Sequence, residues 1–496
     1  MQRSRASGIL LHPTSLPGSH GIGSLGVEAY AFVDFLAAAG QSIWQILPLG
    51  PTGYGDSPYS ALSAFAGNPL LVCLERLVEA GDLDAADLAG VTLPEGKAHF
   101  GFVHGFKGRL LQKAARRFRE TTTDERQPAF AEFCARQAYW LNDYTIFRAL
   151  RQQFDEQPWN RWPGEIRRRE EAALRHWGER LSEHIYLEKY AQFVFFEQWF
   201  ALKEYANNRG VRIFGDIPIF VAFDSADVWA NSRLFHLDAE GNPTRVAGVP
   251  PDYFSKTGQR WGNPLYRWEQ MAADGFSWWL ARFRWNLAQT DLVRIDHFRG
   301  FEACWVIPAK EETAVNGIWE AVPGADLFQA LADSLGEAPI VAEDLGVITP
   351  EVEALRDRFG FPGMKILQFA FDADADNPYL PHNFQRNCVV YSGTHDNDTS
   401  AGWWQSRDRK ERDAVHAYLG NGGREIAWDL IRLAMASVAD LCIFPLQDVL
   451  GLDSEARLNT PGRADGNWTW RCPPRALTPE LRQRLVELSH IYGRHP

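Results

Sequence analysis

The sequence lacks the cysteine patterns of secreted disulfide-rich proteins and of zinc-binding proteins. Its six cysteines are scattered, and no two of them form a C-x-x-C pair. This usage is typical of reduced, mostly buried thiols and predicts a cytoplasmic protein. The amino terminus favours the same location, because Met1 to Leu11 contains no apolar stretch long enough for a signal peptide.

Long apolar runs and an excess of basic charge are also missing. No run approaches the roughly 20 apolar residues that a membrane-spanning helix needs. The 51 Lys and Arg residues are outnumbered by 63 Asp and Glu, which gives a formal net charge of -12. A chain of this charge is repelled by nucleic acids and by anionic membranes, so we expect neither as its main partner.

Aromatic residues, in contrast, are abundant, with 19 Trp, 31 Phe and 14 Tyr. Most of them are expected in the core, which they fill efficiently. Aromatic faces are also the surfaces on which proteins hold sugars, since a pyranose ring has an apolar C–H face. The length of 496 residues allows either one large α/β barrel with insertions or two to three smaller domains.

Eight short apolar runs alternate with helical patterns along the chain. Flat apolar runs of this kind are typical of parallel strands that are covered on both sides. Eight parallel strands with interleaved helices predict an α/β fold, the (β/α)8 or TIM barrel. The predicted strands lie near residues 8–11, 43–48, 211–219, 291–296, 339–343, 364–371, 388–394 and 440–446.

Two intervals between the predicted strands are too long for simple connections. We expect residues 56–185 to form a mainly helical insertion, which contains a helix pattern at 102–120. The turn-rich, aromatic segment 221–277 is expected as a loop region that covers the cleft, because long loops are usually functional. About 50 residues follow the eighth strand, too few for a carboxyl-terminal β-sandwich, so we expect a single catalytic barrel over 1–496.

Three of the predicted strands run into carboxylates at their carboxyl ends. Asp296 ends the run at 292–296, Glu343 ends the run at 340–343, and Asp396 follows the run at 389–394. One such ending is often only a structural salt bridge, because a core tolerates charge when it is paired. Barrels place their chemistry at the carboxyl ends of the strands, so three endings of this kind predict one cleft.

Two carboxylates on one cleft suit the cleavage of a glycosidic bond with retention. That reaction needs a nucleophile and an acid about 5–5.5 Å apart across the anomeric carbon. Arg294 lies two residues before Asp296, on the same face of the strand, and favours the ionised form of a nucleophile there. Glu343 suits the acid, whose proton is held by burial and by a neighbouring carboxylate such as Asp344.

Three other kinds of protein remain as alternatives. A metal-dependent hydrolase would need several histidines around one ion, whereas each of these strand ends offers a single histidine at most. A glycan-binding module would explain the tryptophans but not the three carboxylates. A hydrolase of α-glucans would use the same machinery, because transfer and hydrolysis differ only in whether a sugar or water reaches the glycosyl ester.

A set of short motifs, in this order and spacing, resembles the 4-α-glucanotransferases of glycoside hydrolase family 77, which are also called amylomaltases or disproportionating enzymes. The resemblance extends over nearly the whole chain. The motifs are GILLHPTSLP at 8–17, GDSPY at 55–59, GDIP at 215–218, WGNP at 261–264, RIDH at 294–297, AEDLG at 342–346, GTHDN at 393–397 and NWTWR at 467–471.

The resemblance implies a barrel similar to that of the α-amylases, with no metal and no organic cofactor. It implies that the partners are α-1,4-glucans such as maltooligosaccharides and amylose. By motif matching, Asp296 would be the nucleophile, Glu343 the general acid/base and Asp396 the stabiliser of the transition state.

The resemblance also implies a set of residues that contact the glucan. Tyr59 would stack beneath the sugar at the cleavage point, and the segment around Trp261 would cover the cleft. Core packing remains an alternative for both aromatic residues, as a purely structural hydrogen-bonding role does for His297. The implied substrate-binding residues are Tyr59, Asp216, Asp252, Phe254, Trp261, Asn263, Arg294, His297, His395 and Asn459.

Overall fold

Strands and helices alternate over most of the chain in the computed structural model of the protein. The structure describes residues 5–91, 93–120, 126–251, 255–372, 374–420, 425–463 and 465–495. Its strands are β1 (Ala6–Leu10), β2 (Ile43–Gln45), β3 (Arg212–Pro218), β4 (Arg245–Val249), β5 (Gln259–Pro264), β6 (Leu292–Asp296), β7 (Ala303–Pro308), β8 (Ile318–Ala321), β9 (Ile340–Ala342), β10 (Gly363–Ile366), β11 (Cys388–Tyr391) and β12 (Leu441–Pro445).

The helices connect these strands and cover the outside of the larger sheet. They are α1 (Val27–Ala38), α2 (Leu74–Glu79), α3 (Phe100–Glu120), α4 (Arg126–Arg136), α5 (Ala138–Gln153), α6 (Gly164–Arg167), α7 (Glu171–Arg180), α8 (Ser182–Asn207), α9 (Ala226–Ala230), α10 (Trp268–Ala273), α11 (Ser277–Gln289), α12 (Gly324–Leu335), α13 (Pro350–Arg358), α14 (Ser400–Ser406), α15 (Arg409–Leu419), α16 (Ile426–Ala436), α17 (Leu446–Val449) and α18 (Pro479–Ile491). No helix of the described ranges combines the length and the apolar composition needed to cross a membrane.

The larger sheet has eight parallel strands in the order β10-β11-β12-β1-β2-β3-β6-β9. Each of the eight apolar runs predicted from the sequence contributes one of these strands. The strand order brings the first and last strands of the chain together, as β1 pairs with β12. The prediction of a (β/α)8 barrel is therefore confirmed.

The barrel strands are apolar because both of their faces are buried. Alternate side chains point inward and outward along a strand. In β6 the outward residues Val293 and Ile295 belong to the large core beneath the helices. Leu292 packs against a separate apolar cluster that fills the barrel interior. Arg294 and Asp296 share the face of Leu292, so the strand directs both toward the barrel axis.

The barrel closes between β9 and β10 by a join that has few hydrogen bonds. Within the described residues, the N–H of Ala342 donates to the carbonyl oxygen of Pro362 at 2.9 Å. The N–H of Met364 donates to the side chain of Asp344 at 2.7 Å, instead of to a main-chain carbonyl of β9. The buried carboxylate of Asp344 thus replaces a main-chain acceptor where β9 and β10 meet.

A second, antiparallel sheet lies on the connections that leave the carboxyl ends of the barrel strands. Its order is β5-β4-β7-β8, so it joins two strands from the connection after β3 to two strands from the connection after β6. The expected loop region at 221–277 therefore contains two strands, and that expectation was incomplete. Within this sheet β4 pairs with both β5 and β7, which gives hydrogen-bond partners to a connection whose outer strand, β5, is largely exposed.

The long interval at 56–185 contains mainly helices, from α2 to α7. The helix expected at 102–120 is present as α3. The next helix, α8, leads directly into β3 and carries buried aromatic residues along most of its length. The interval therefore packs against the barrel through a helix that belongs to the barrel itself.

Candidate active site

Arg294 links two carboxylates on the inner face of the barrel. Its Nη1 donates to Oδ2 of Asp216 at 2.7 Å, and its Nη2 donates to Oδ1 of Asp296 at 2.7 Å. Asp216 lies directly opposite Arg294 across β3 and β6, which explains the contact. Burial opposes the charge of Arg294, but the two carboxylates raise its pKa well above the ordinary value. The guanidinium therefore stays charged and fixes the position of Asp296.

Asp216 is fully enclosed by the barrel and its partners. Its Oδ2 accepts from both Arg294 and the hydroxyl of Tyr59, while Oδ1 has no hydrogen-bond partner within the described residues. Burial raises the pKa of Asp216 to about 7, although Arg294 acts in the opposite direction. Asp216 therefore holds the guanidinium of Arg294 and the hydroxyl of Tyr59 in place.

Glu343 lies at the same level as Asp296 on the neighbouring strand. The register pairs Ile295 with Ala342, so each carboxylate follows a residue of one matched pair. Glu343 accepts from the N–H of His297 at 2.6 Å and from the N–H of Leu345 at 2.9 Å. Burial raises the pKa of Glu343 to about 7, and the charge of Asp296 raises it further against the effect of Arg294. The two carboxylates thus act on each other electrostatically.

The prediction that Asp344 is the neighbouring carboxylate that holds the proton on Glu343 is wrong. Its carboxylate accepts from the N–H of Met364 and from the guanidinium of Arg356. The neighbouring charge that raises the pKa of Glu343 is that of Asp296 instead. Asp344 is buried in the join between β9 and β10, because its side chain alternates to the side opposite Glu343.

Asp396 lies beyond the end of β11, in a connection rather than on a strand. Its Oδ1 accepts from Nδ2 of Asn459 at 2.6 Å and lies 3.4 Å from Nε2 of His395. Burial lowers the pKa of His395, so this imidazole is neutral near pH 7. The side chain of Asp396 is 44% exposed, which leaves it accessible from the cleft.

Tyr59 connects the two sides of the site. Its hydroxyl donates to Asp216 at 2.8 Å, and its ring stacks on the imidazole of His395 with centroids 5.2 Å apart and an interplanar angle of 13°. Burial raises the pKa of Tyr59 well above the ordinary value, so the phenol keeps its proton. The ring is therefore held at both its hydroxyl and its face.

Trp261 and His297 meet at the edge of the site nearest the second sheet. Trp261 is 39% exposed and packs edge-on against the imidazole of His297, with centroids 4.8 Å apart. Burial lowers the pKa of His297 to about 4. The amide of Asn263 donates to the carbonyl oxygen of Val221 at 2.9 Å, which holds β5 against the beginning of the same connection.

The remaining two predicted contacts, Asp252 and Phe254, lie outside the described residues. A cavity of about 940 Å³ opens beside Trp261 and Asn263 and is lined on its other side by α5 and α8. Tyr54, at its rim, is 82% exposed. This cavity therefore lies between the second sheet and the helical interval.

Two residues that contact this site were not assigned a role from the sequence. Trp468 packs on Tyr59 and on His395, with ring centroids 6.0 Å apart in both cases. Its φ of 63° is rare for a bulky residue. The motif at 467–471 drew attention to Trp468 without indicating its contacts. Arg457 donates to the main chain of Asp396, and no sequence signal pointed to it.

The described residues contain no group of three or more His, Cys, Asp or Glu side chains arranged to hold a metal ion. The expectation that the enzyme uses neither a metal nor a cofactor stays a prediction. The groups that the site does assemble are an aspartate paired with an arginine, a buried glutamate with a raised pKa and a third carboxylate on the open side. Such a set can transfer protons and provide an anionic nucleophile.

A (β/α)8 barrel with this set of carboxylates at the carboxyl ends of its strands has the architecture of enzymes that act on glycosidic bonds. The family model for 4-alpha-glucanotransferases, glycoside hydrolase family 77, matches residues 11–478. The chain belongs to this family, and it is a glucan-transferring enzyme.

Similar proteins cover the chain from end to end. A 4-alpha-glucanotransferase of Thermus thermophilus is 54% identical over 100% of both chains. One of Synechocystis sp. is 52% identical over 100% of this chain and 99% of its own. The structure of an amylomaltase from Streptococcus agalactiae in complex with acarbose superposes with a TM-score of 0.96 at 38% identity, covering 99% of this chain and 100% of that one.

Proposed function

We propose that the enzyme transfers segments of α-1,4-glucans with retention, through a covalent glycosyl ester on Asp296. In the first step a carboxylate oxygen of Asp296 bonds to C1 of the donor sugar as the C1–O4 bond breaks. Glu343 gives its proton to the leaving O4. In the second step the 4-hydroxyl of an acceptor sugar attacks C1, Glu343 takes up its proton, and the ester breaks.

The observation that carries this proposal is the pair of carboxylates around Arg294. The guanidinium holds one oxygen of Asp296 and keeps a positive charge beside it, which favours the anionic nucleophile. Glu343, one strand away, has a pKa raised to about 7 by burial, so a substantial fraction carries a proton near neutrality. A double displacement requires one carboxylate that can attack C1 and a second group that can give and take up a proton.

Asp396 would stabilise the transition state from the opposite side of the sugar. It is oriented by Asn459 and lies beside His395, and all three would contact sugar hydroxyls. Tyr59 would support the ring of the same sugar by stacking. In this proposal Asp216 contributes by holding Tyr59 and Arg294, since its Oδ2 is already occupied by both.

Glucose units on the acceptor side would contact the segment 221–277, which would cover the cleft. Trp261 and His297 present an aromatic surface there, and Asn263 holds β5 against the beginning of the segment 221–277. Asp252 and Phe254 are proposed as further contacts in the same segment. A cover that excludes water from the glycosyl ester favours transfer to a sugar over hydrolysis.

We propose maltooligosaccharides, amylose and starch as substrates. The structure of the amylomaltase from Streptococcus agalactiae is a complex with acarbose. We expect this enzyme to bind acarbose as well, beside Asp296, Glu343 and Asp396. The net charge of -12 makes nucleic acids and anionic membranes improbable partners. We further propose that residues 1–496 act as a single catalytic barrel, with the additions at 56–185 and 221–277 shaping its cleft.

The product pattern from pure maltotriose tests the proposed reaction. We expect glucose together with a ladder of oligosaccharides longer than maltotriose, because each glycosyl ester is passed to another sugar. Chromatography of the products over time would measure this. Glucose and maltose alone, without any longer product, would instead identify a hydrolase.

The variant Asp296→Asn tests the nucleophile. We expect turnover to fall by about 10⁴-fold or more, because the amide cannot form the ester. Acarbose binding and the melting temperature should change little, which calorimetry and circular dichroism would measure. Asp333→Asn, on the exposed face of α12, is the matched control. Retained turnover in Asp296→Asn would remove this residue from the proposed role.

A further inference from the structure

The position of Asp396 depends on a connection that is distant in the sequence. Asp396 follows β11, while its contacts come from residues 457–459, which follow β12. Asp296, in contrast, is the last residue of β6, and Glu343 directly follows β9 and donates its N–H to the carbonyl oxygen of Ile295 at 3.0 Å. A carboxylate on a connection needs another source of rigidity if its geometry is to be kept within a fraction of an ångström.

The guanidinium of Arg457 joins the two connections. Its Nη2 donates to the main-chain oxygen of Asp396 at 2.6 Å, and its Nε donates to the main-chain oxygen of Asn459 at 2.8 Å. One planar group therefore holds two carbonyls at a set separation. This use of the fixed geometry of arginine cannot be copied by the single nitrogen of lysine.

The same contact orients the carboxylate of Asp396. With its carbonyl held by Arg457, Asn459 donates from Nδ2 to Oδ1 of Asp396 at 2.6 Å and from its main-chain N–H to the oxygen of His395 at 3.2 Å. The side-chain hydrogen bonds of Arg457 to described residues run to main-chain oxygens and not to a carboxylate. Its contacts are with main-chain oxygens, so a surface salt bridge does not account for it.

We propose that Arg457 is a positioning residue, which holds the connections after β11 and β12 together so that the Asp396 carboxylate is aimed at the sugar. The inference rests on the proposed function, in which Asp396 acts mainly in the transition state. A misplacement of about 1 Å in such a group can lower the rate by about 100-fold. Binding of the substrate in its ground state should suffer much less.

The variants Arg457→Gln and Arg457→Lys test the proposal. We expect kcat for maltotriose to fall by about 10- to 100-fold in Arg457→Gln, with KM changed by less than about threefold. Arg457→Lys keeps the charge and should recover only part of the loss, because it cannot bridge both carbonyls in the same way. Arg409→Gln, at an exposed position on α15, is the matched control.

A double-mutant cycle with Asn459→Ala separates positioning from a general structural role. If both residues act through Asp396, the double variant should lose much less than the product of the two single losses. Losses in kcat that multiply, or an Arg457→Gln variant with unchanged kcat, would overturn the inference. If Arg457→Gln fails to fold, the cycle is measured with Arg457→Lys, whose charge is retained.

The Asp396→Asn variant distinguishes this inference from the proposed function. A large loss of kcat in Asp396→Asn combined with multiplying losses at Arg457 and Asn459 would reject only the positioning by Arg457. Full turnover in Asp396→Asn would reject the part that the proposed function gives to Asp396, and the inference with it. Thermal melting of each variant, compared with the wild type, would identify losses that come from unfolding.

Discussion

At the scale of single residues, the alternation of a strand was enough to place Arg294 beside Asp296 on one face. The sequence could not predict hydrogen bonds between different elements, such as the one that the hydroxyl of Tyr59 donates to Asp216 at 2.8 Å. The prediction that Asp344 acts on the proton of Glu343 was wrong, because neighbours in sequence alternate between the faces of a strand. Contacts of single residues are thus predictable within an element and much less so between elements.

The raised pKa of Glu343 predicts how the rate depends on pH. An acid must be protonated when donor cleavage begins, so kcat/KM should fall by about tenfold per pH unit above a pH of about 7. Initial rates with maltotriose between pH 5.5 and pH 9 would measure this limb. A rate that stays flat up to pH 9 would contradict the assignment of Glu343.

A maltosyl fluoride donor provides the control for this limb. Fluoride leaves with little help from an acid, so the fall above a pH of about 7 should be weaker when ester formation is measured with this donor. The variant Glu343→Gln should likewise lose far more activity with maltotriose than with the fluoride. Equal losses with both donors would indicate that Glu343 serves something other than proton transfer.

At the scale of the elements, the barrel could be predicted because its strands are largely apolar on both faces, with charged residues near the carboxyl ends of β3 and β6. The second sheet could not, since strands such as β5 are exposed along most of their length and carry no apolar pattern. Its partners also come from two connections that β6 separates in the sequence. A pairing between segments that are distant in the sequence leaves no signal within either segment.

Gly8 shows how closely the barrel strands are packed. A Cβ atom at this position of β1 would lie 2.3 Å from the main-chain oxygen of Ile43 in β2, and the main chain cannot move away without breaking the pairing. We expect Gly8→Ala to lower the free energy of unfolding by about 1–3 kcal/mol. Denaturant unfolding followed by circular dichroism would measure the loss.

The matched control for Gly8→Ala is Gly178→Ala in α7. No atom lies within 4 Å of the added Cβ atom there, and alanine favours the helix. We expect this variant to be as stable as the wild type or more stable by up to about 1 kcal/mol. Similar losses in both variants would contradict the steric explanation for Gly8.

At the scale of the whole molecule, the barrel keeps several ionisable groups from water beneath the cleft. Burial lowers the pKa of His12 to about 3 and that of His297 to about 4. It raises the pKa of both Asp216 and Glu343 to about 7. The histidines and the carboxyl groups therefore affect the stability in opposite directions as the pH changes.

For His12 the sign of the effect follows from where its proton binds. The unfolded chain takes up this proton below pH 6.5, whereas the folded protein does not until a pH of about 3. The contribution of His12 to stability is therefore complete above pH 6.5 and is lost as the pH falls. The expected slope is about 1.4 kcal/mol per pH unit for each such proton.

The variant His12→Gln isolates this contribution. Compared with the wild type, its free energy of unfolding should fall less steeply between pH 6 and pH 4.5, because one proton no longer distinguishes the two states. Denaturant unfolding at several pH values would measure the difference in slope. His176→Gln, on the exposed side of α7, is the control. Identical slopes for His12→Gln and the wild type would contradict the prediction.

The join between β9 and β10 has few hydrogen bonds, so a separation of these strands would affect both the barrel and the adjacent Glu343. Asp344, whose carboxylate accepts from the N–H of Met364, directly follows Glu343 in the chain, so a separation of the two strands would also displace the proposed proton donor. We therefore expect turnover to be lost at a lower temperature than most of the secondary structure, which activity assays and circular dichroism over the same temperature range would measure. Substitutions that add contacts between β9 and β10 should therefore prolong activity at high temperature more than substitutions in the core.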